Sequence, residues 1–137
     1  MEKSSERFPC REKIRMNEKP RDNPPRIAVT GAAGFIGRRV VFRLAKAGAK
    51  VVAVDRVPEP PDVPQCVAYC CADLSAGRGA LPAADVLVHL AWNMDRADEA
   101  GQSESAADLA RLLEICGCRG VVGLGSAEEY GELEGRL

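Results

Sequence analysis

The 137-residue sequence lacks the features that mark membrane proteins, secreted proteins and nucleic-acid-binding proteins. No apolar run approaches the roughly 18 to 20 residues that span a bilayer. The first residues contain no apolar stretch of the kind that a secretory signal carries, so we expect a cytoplasmic protein with no membrane partner. The formal net charge is -1, and the basic residues near the start are mixed with acidic ones. This balance argues against DNA or RNA as a partner.

Ligand spacings typical of a metal site are also missing. The sequence has one histidine and six cysteines, and the cysteines that come close are either adjacent, at Cys70 and Cys71, or one residue apart, at Cys116 and Cys118. Structural zinc usually takes pairs with two to four residues between the ligands. We therefore expect no metal site. In a reducing compartment the cysteines should be free thiols, buried as small apolar side chains.

Two segments of different composition divide the chain. Residues 1–25 mix acidic and basic side chains with several prolines and few large apolar residues. Such a segment cannot bury enough surface to offset the entropy lost on ordering. We interpret residues 1–25 as a disordered leader and residues 26–137 as a single domain.

Short apolar runs and helical patterns alternate in the second segment. The runs predict strands at 27–29, 51–54, 67–71, 86–90 and 121–124. Ile36, Val40, Leu44 and Ala47 recur at helical spacing before a stop signal at Gly48, and Leu109, Leu112, Leu113 and Cys116 predict another helix. This alternation is typical of an α/β protein whose parallel sheet is covered by helices on both faces. We predict a Rossmann-like, doubly wound sheet in the order 3-2-1-4-5, truncated after the fifth strand.

A glycine-rich turn, TGAAGFIG at residues 30–37, joins the first predicted strand to its helix. Gly31 would allow a sharp turn, Gly34 would let a pyrophosphate approach the backbone, and Gly37 would let the helix pack closely on the strand. Backbone amides at the start of a helix bind phosphates. We therefore expect a dinucleotide to contact the following residues of the turn: Gly31, Ala33, Gly34, Phe35, Ile36 and Gly37. The alternative is a glycine-rich turn without a ligand.

A carboxylate and a guanidinium group follow the second predicted strand. Asp55 can accept hydrogen bonds from ribose hydroxyls and would repel a 2′-phosphate, which favours NAD as the cofactor. The adjacent Arg56 could pair with that phosphate, so NADP is an alternative cofactor. Taken alone, Asp55 could equally be an ordinary turn carboxylate.

Four segments together resemble the extended short-chain dehydrogenase/reductases of the NAD-dependent epimerase/dehydratase family. The spacing Thr30-Gly31-x-x-Gly34-x-x-Gly37 is the glycine pattern of that group. Asp73 and Leu74 are similar to its adenine-contacting pair, and Leu90 and Ala91 are similar to the residues whose backbone lines the cofactor beside the nicotinamide. The segment GSAEEYG at 125–131 is similar to the one that carries the catalytic Ser or Thr, here Ser126.

The resemblance implies an enzyme that acts on a nucleotide-linked sugar with NAD, or with NADP, and that can form a homodimer. It also implies a catalytic Tyr followed four residues later by a Lys. The 137 residues contain no such pair, since Glu134 stands four residues after Tyr130. We therefore expect this chain to show no turnover by itself. The alternative is a non-catalytic module that binds NAD(P).

Three further residues lie near the implied site. His89 ends an apolar strand, and we predict a buried, hydrogen-bonded side chain rather than a catalytic base. Trp92 stands where relatives often carry a small residue, so it either narrows the nicotinamide pocket or is a packed aromatic. Ser105 stands where many relatives have Asn, which weakens an inferred structural hydrogen bond.

Overall fold

The computed structural model describes residues 23–75, 81–95 and 97–125. Residues 1–22 of the predicted leader lie outside this part, and so do Ser126 and the residues that follow it. The helices and strands are β1 (Arg26–Thr30), α1 (Phe35–Lys46), β2 (Lys50–Asp55), β3 (Ala68–Cys71), β4 (Val86–His89), α2 (Glu99–Cys116) and β5 (Gly120–Gly123).

The strands form one parallel sheet in the order β3-β2-β1-β4-β5, which confirms the predicted order. Thr30 at the end of the central strand β1 is in register with Val54 of β2 and with His89 of β4. The chain leaves β1 towards β2 on one side, while β4 pairs with β1 on the other. This reversal is the topological switch point at which sheets of this kind bind ligands, beyond the carboxyl ends of the strands.

Two apolar clusters cover the two faces of the sheet. One joins Val41 and Ala45 of α1 to strand residues that include Val29 and Val88, and the other joins Leu112 of α2 to neighbouring residues of β1 and β4. Because successive strand residues point to opposite faces, α1 and α2 lie on opposite sides of the sheet. The sheet is therefore covered on both faces, as predicted.

The buried face of α1 differs by one residue from the predicted one. Gly37, Val41 and Ala45 are the buried positions, whereas Ile36, which we assigned to the core face, is 43% exposed. The small residues Gly37 and Ala45 let the helix axis come close to the sheet, and Val40 and Leu44 beside them are half-buried. The stop signal is confirmed, since the chain leaves α1 through Gly48 with a φ of 83°.

The cysteines are less buried than expected. Cys70, Cys71, Cys116 and Cys118 are free thiols, but only Cys116 is buried. Cys70 and Cys71 belong to β3, which lies at the edge of the sheet and is partly open to solvent. Cys66 is disulfide-bonded, which corrects the expectation of a free thiol at that position. That expectation was based on the compartment and not on the distance between sulfur atoms.

Neither a membrane-spanning helix nor a metal cluster occurs in the part of the chain that the structure describes. The helices there are too short or too polar to cross a bilayer. The His, Cys, Asp and Glu side chains of these residues form no group of three or more that could hold a metal ion.

Candidate functional site

Gly31 brings the end of β1 against the chain that leaves β4. Its φ of 68° lies in the left-handed region, which favours glycine. A Cβ built at this position would lie 2.7 Å from the Ala91 nitrogen and from the Leu90 carbonyl carbon. Any side chain would therefore push the two strand ends apart. The structure thus places Gly31, Leu90 and Ala91, all predicted to line the cofactor, side by side.

The other two glycines of the turn have different roles. A Cβ on Gly37 would collide with the carbonyl oxygen of Gly31, so the absence of a side chain lets α1 pack onto the turn. Gly34 has a φ of -71°, which other residues also adopt, and a Cβ there would meet only the Gly31 oxygen, at 3.2 Å. Packing therefore requires a glycine at position 37 but not strictly at position 34. An open space beside Gly34 is what a closely approaching pyrophosphate needs.

The first turn of α1 presents free backbone amides. Gly34 is the N-cap and supplies no side-chain hydrogen bond, and the amides of Phe35, Ile36 and Gly37 have no hydrogen-bond partner among the described residues. The Arg39 guanidinium stacks on the Phe35 ring at 3.9 Å and donates a hydrogen bond to the Phe35 carbonyl at 2.8 Å, so a positive charge lies beside the first turn of α1. Free amides and the positive end of the helix dipole together favour an anion at this point.

Asp55 at the end of β2 is bonded to the same turn. Its Oδ2 accepts a hydrogen bond from the Ala33 amide at 3.0 Å, and its Oδ1 accepts one from the Val57 amide at 3.3 Å. An ionised carboxylate offers about four acceptor positions, so two remain for other donors. Asp55 is half-buried and Arg56 beside it is exposed. The structure thus brings the predicted ribose carboxylate within one hydrogen bond of the predicted phosphate turn.

The turn at residues 72–75 continues this edge of the sheet. The Ala72 amide donates to the Asp55 carbonyl at 2.8 Å. Asp73 Oδ1 accepts from the Ser75 amide at 3.0 Å and from the Ser75 hydroxyl at 2.5 Å, which closes the turn. Leu74 packs against the apolar cluster on the α2 side of the sheet. The turn therefore begins next to Asp55, and Leu74 reaches the cluster between the sheet and α2.

Thr30 joins β1 to β4 through its side chain, a role that sequence reasoning missed. Its Oγ1 lies 3.3 Å from the Leu90 amide and 3.5 Å from the Ala91 amide, and 2.8 Å from His89 Nδ1. The Leu90 amide also donates to the Thr30 carbonyl oxygen at 3.1 Å. Thr30 therefore holds the segment that was predicted to run beside the nicotinamide.

His89 is buried and its Nδ1 shares a hydrogen bond with the Thr30 hydroxyl. Burial lowers its pKa below 6.5, an effect that the negative charge of Asp108 partly opposes. Nε2 is buried and has no hydrogen-bond partner among the described residues, so the prediction of a fully hydrogen-bonded histidine is wrong at this atom.

The segment after β4 is held by α2. Ser105 Oγ accepts a hydrogen bond from the Asn93 amide at 3.1 Å, so the serine makes a structural contact at this position. Gln102 accepts a hydrogen bond from Trp92 Nε1 at 2.6 Å and donates one to the Asn93 carbonyl at 2.6 Å. Trp92 is 44% exposed and is not a core aromatic. Ser126, the predicted catalytic residue, lies outside the described residues.

Comparison with known proteins agrees with this geometry. Residues 27–136 match the model of the NAD dependent epimerase/dehydratase family. The chain is 36% identical over 92 residues to the uncharacterized protein Rv2047c of Mycobacterium tuberculosis (strain ATCC 25618 / H37Rv), a match that covers 65% of this chain and 11% of that protein.

Two solved structures are similar to the fold described here. A UDP-galactose 4-epimerase superposes with a TM-score of 0.65 and 29% identity, covering 77% of this chain and 40% of the epimerase. MoeE5 in complex with UDP-glucose and NAD superposes with a TM-score of 0.64 and 30% identity, covering 81% of this chain and 40% of MoeE5. The chain thus spans less than half the length of these relatives. On the match over residues 27–136, the chain belongs to the NAD-dependent epimerase/dehydratase family.

Proposed function

We propose that this chain binds NAD and is the cofactor-binding part of an epimerase, dehydratase or reductase that acts on a nucleotide-linked sugar. The observation that carries the proposal is the turn at residues 31–37. It joins β1 to α1 at the switch point of the sheet, presents free amides, and is hydrogen-bonded to a half-buried carboxylate. The UDP-sugar named with MoeE5 and the name of the UDP-galactose epimerase support the substrate class.

Each part of the site has a binding role in this proposal. The amides of Phe35, Ile36 and Gly37 hold the pyrophosphate, with Gly34 leaving room for it. The carboxylate of Asp55 accepts hydrogen bonds from the adenosine ribose. Three further contacts complete the site, from the turn Asp73-Leu74 to the adenine, from the backbone of Leu90 and Ala91 to the nicotinamide, and from Ser126 to the substrate. A bound nicotinamide cofactor supplies the hydride chemistry, and the residues of this chain bind and orient it.

NAD is the proposed cofactor rather than NADP because of charge. The Asp55 carboxylate is held in place by the Ala33 and Val57 amides, so it cannot turn away from a 2′-phosphate without losing two hydrogen bonds. Arg56 is exposed beside it and offers a counter-charge only at the surface. Repulsion at Asp55 should therefore outweigh attraction at Arg56.

Residues 1–137 are proposed to bind the cofactor without turnover. They contain no Tyr followed four residues later by Lys, the pair that the family resemblance assigns to proton transfer. The absence of this pair from residues 1–137 also favours the second candidate function, a module that binds NAD(P) without catalysis. The cytoplasmic location and the homodimer stay predictions.

Calorimetric titration of the folded chain with NAD and NADP tests the proposal. We expect NAD to bind at least about tenfold more tightly than NADP, a difference of about 1.4 kcal/mol. Asp55→Asn should narrow that gap because it removes the repulsion. Asp85→Asn is the matched control, since it removes the same charge at the amino ends of the strands, where Asp85 contacts Arg119 and the Arg26 amide.

The outcomes separate the parts of the proposal. A folded wild-type chain that gives no heat with NAD would contradict cofactor binding altogether. Equal affinity for the two dinucleotides would contradict only the assignment of Asp55. Epimerase, dehydratase or reductase turnover of a UDP-sugar by residues 1–137 would contradict the proposed lack of activity.

A further inference from the structure

Helix α2 contacts the turn at residues 72–75 through one arginine. Arg111 Nη2 donates a hydrogen bond to the backbone carbonyl of Leu74, which lies 37 positions earlier in the chain. The same nitrogen lies 3.2 Å from Asp108 Oδ1, one helical turn earlier on α2. The Arg111 and Asp108 side chains are only 29% and 21% exposed. This is therefore a partly desolvated contact and not a solvated surface ion pair.

The arrangement makes Arg111 a bridge between two parts of the fold. Asp108 and Arg111 are three positions apart in the sequence, so they lie on the same face of α2. The carboxylate holds the guanidinium in one orientation, and the guanidinium holds the Leu74 carbonyl. A hydrogen bond from a charged donor is stronger than one between neutral groups. The carbonyl is thus held by a rigid helix rather than by the turn alone.

The contact from Arg111 ends at Leu74, next to Asp73, whose carboxylate faces the proposed adenine site. Asp73 precedes Leu74, and its Oδ1 is already directed by the Ser75 amide and hydroxyl. Leu74 is also packed on the cluster that contains Leu112, the residue after Arg111. The Leu74 carbonyl and the Ser75 amide belong to the same peptide group, so its rotation would break both the Arg111 contact and the Ser75 amide's hydrogen bond to Asp73. As long as both contacts are made, the Asp73 carboxylate has a defined position relative to Asp55.

We propose that Arg111, oriented by Asp108, is a positioning residue that sets the adenine selectivity of the cofactor site by holding the Leu74 carbonyl. The inference rests on the proposed function, in which the Asp73-Leu74 turn contacts the adenine. A fixed carboxylate at Asp73 accepts a hydrogen bond from the 6-amino group of adenine. Hypoxanthine has a carbonyl oxygen at that position, and the carboxylate repels it. Loss of the Arg111 contact frees the turn and lowers this discrimination.

The test compares the affinities of NAD and nicotinamide hypoxanthine dinucleotide, two cofactors that differ only at this base. For the wild-type chain we expect NAD to bind roughly tenfold more tightly, as one well-formed hydrogen bond provides. Arg111→Met should lower the ratio at least about threefold, while Arg111→Lys, which keeps the charge but not the planar fork, should lower it less. Arg119→Met is the matched control, since Arg119 is a largely exposed arginine paired with Asp85 at the amino ends of β4 and β5.

The ratio of affinities distinguishes positioning from stability, because a general loss of stability weakens both cofactors equally. An unchanged ratio in Arg111→Met, or a wild-type ratio near one, would overturn the inference. If Arg111→Met does not fold, Asp108→Asn provides the test. This variant keeps Arg111 but removes the carboxylate that orients it, so it should still lower the ratio of affinities. A wild-type chain that binds neither dinucleotide would instead overturn the proposed function.

Discussion

Replacing Gly34 by alanine separates binding from folding more sharply than any other change in the turn. The φ of -71° and ψ of 172° at Gly34 suit alanine, and the new Cβ would meet only the Gly31 carbonyl oxygen, at 3.2 Å. That contact is tight by a few tenths of an ångström, which the turn can absorb. The methyl group would, however, occupy the space through which a pyrophosphate reaches the amides of Phe35, Ile36 and Gly37.

Two opposing effects determine how Gly34→Ala changes the free energy of unfolding. Alanine is a poorer N-cap than glycine by roughly 0.5 to 1 kcal/mol. Replacing glycine also reduces the entropy of the unfolded chain, which returns about 0.4 to 1 kcal/mol. The free energy of unfolding should therefore change by less than about 1 kcal/mol. Binding should fall much further, because each lost hydrogen bond to a charged phosphate is worth about 1.5 to 3 kcal/mol, or roughly ten- to a hundredfold in affinity.

Gly48→Ala is the matched control for this experiment. Gly48 has a φ of 83° and no atom within 4 Å of a built Cβ, and it lies at the other end of α1. Alanine there should cost about 1 to 2 kcal/mol of stability because of the left-handed backbone, with NAD affinity unchanged. Thermal unfolding and calorimetry on both variants give the comparison. If Gly34→Ala binds NAD as tightly as the wild type does, the phosphates do not approach the turn at Gly34.

Three further predictions concern stability. Leu112→Ala should lower the free energy of unfolding in urea by about 2 to 5 kcal/mol, because the side chain is fully buried under the sheet, and a loss under about 1 kcal/mol would contradict that burial. Gly37→Ala should unfold at a clearly lower temperature than the wild type, since its Cβ would overlap the Gly31 carbonyl oxygen, and a wild-type melting temperature would refute this close packing. The lowered pKa of His89 means that the unfolded chain takes up a proton near pH 6.5 while the folded chain does not, so stability should fall as the pH drops below 6.5. His89→Asn should reduce that loss between pH 7.5 and 5.5, and an identical pH dependence in the variant would show that His89 does not cause it.

The positions of the strands and of the phosphate turn followed from local patterns. Each strand of the sheet contains a short apolar run, and the turn after β1 contains glycines at the spacing that a tight strand-to-helix connection needs. Both signals are contained in a few neighbouring residues. The start of α2 at Glu99 was missed because the first half of that helix is polar. Its N-cap, Asp98, which accepts a hydrogen bond from the Gly101 amide at 2.9 Å, was the available signal.

Contacts between distant segments were not predictable in the same way. The face of α1 was misassigned because Gly37 and Ala45 contribute little to an apolar pattern although they are buried. The Arg111 contact escaped notice because its acceptor is a backbone carbonyl, which every residue has. The free Nε2 of His89 depends on which side chains surround the end of β4. Such features depend on tertiary packing, and only the Asp108-Arg111 spacing had a local pattern.

The pairing of β1 has a consequence for the order in which the chain folds. β1 pairs on one side with β2, where Arg26 meets Lys50, and on the other with β4, where Thr30 meets His89, 59 residues away. Closing a loop of about 60 residues costs roughly 0.8 kcal/mol more in entropy than closing one of about 24. The β1-α1-β2 unit should therefore assemble first, with its anion-binding turn already shaped. Docking of β4 then completes the crevice, and a chain emerging from the ribosome can form half of the pocket before the other wall has been synthesised.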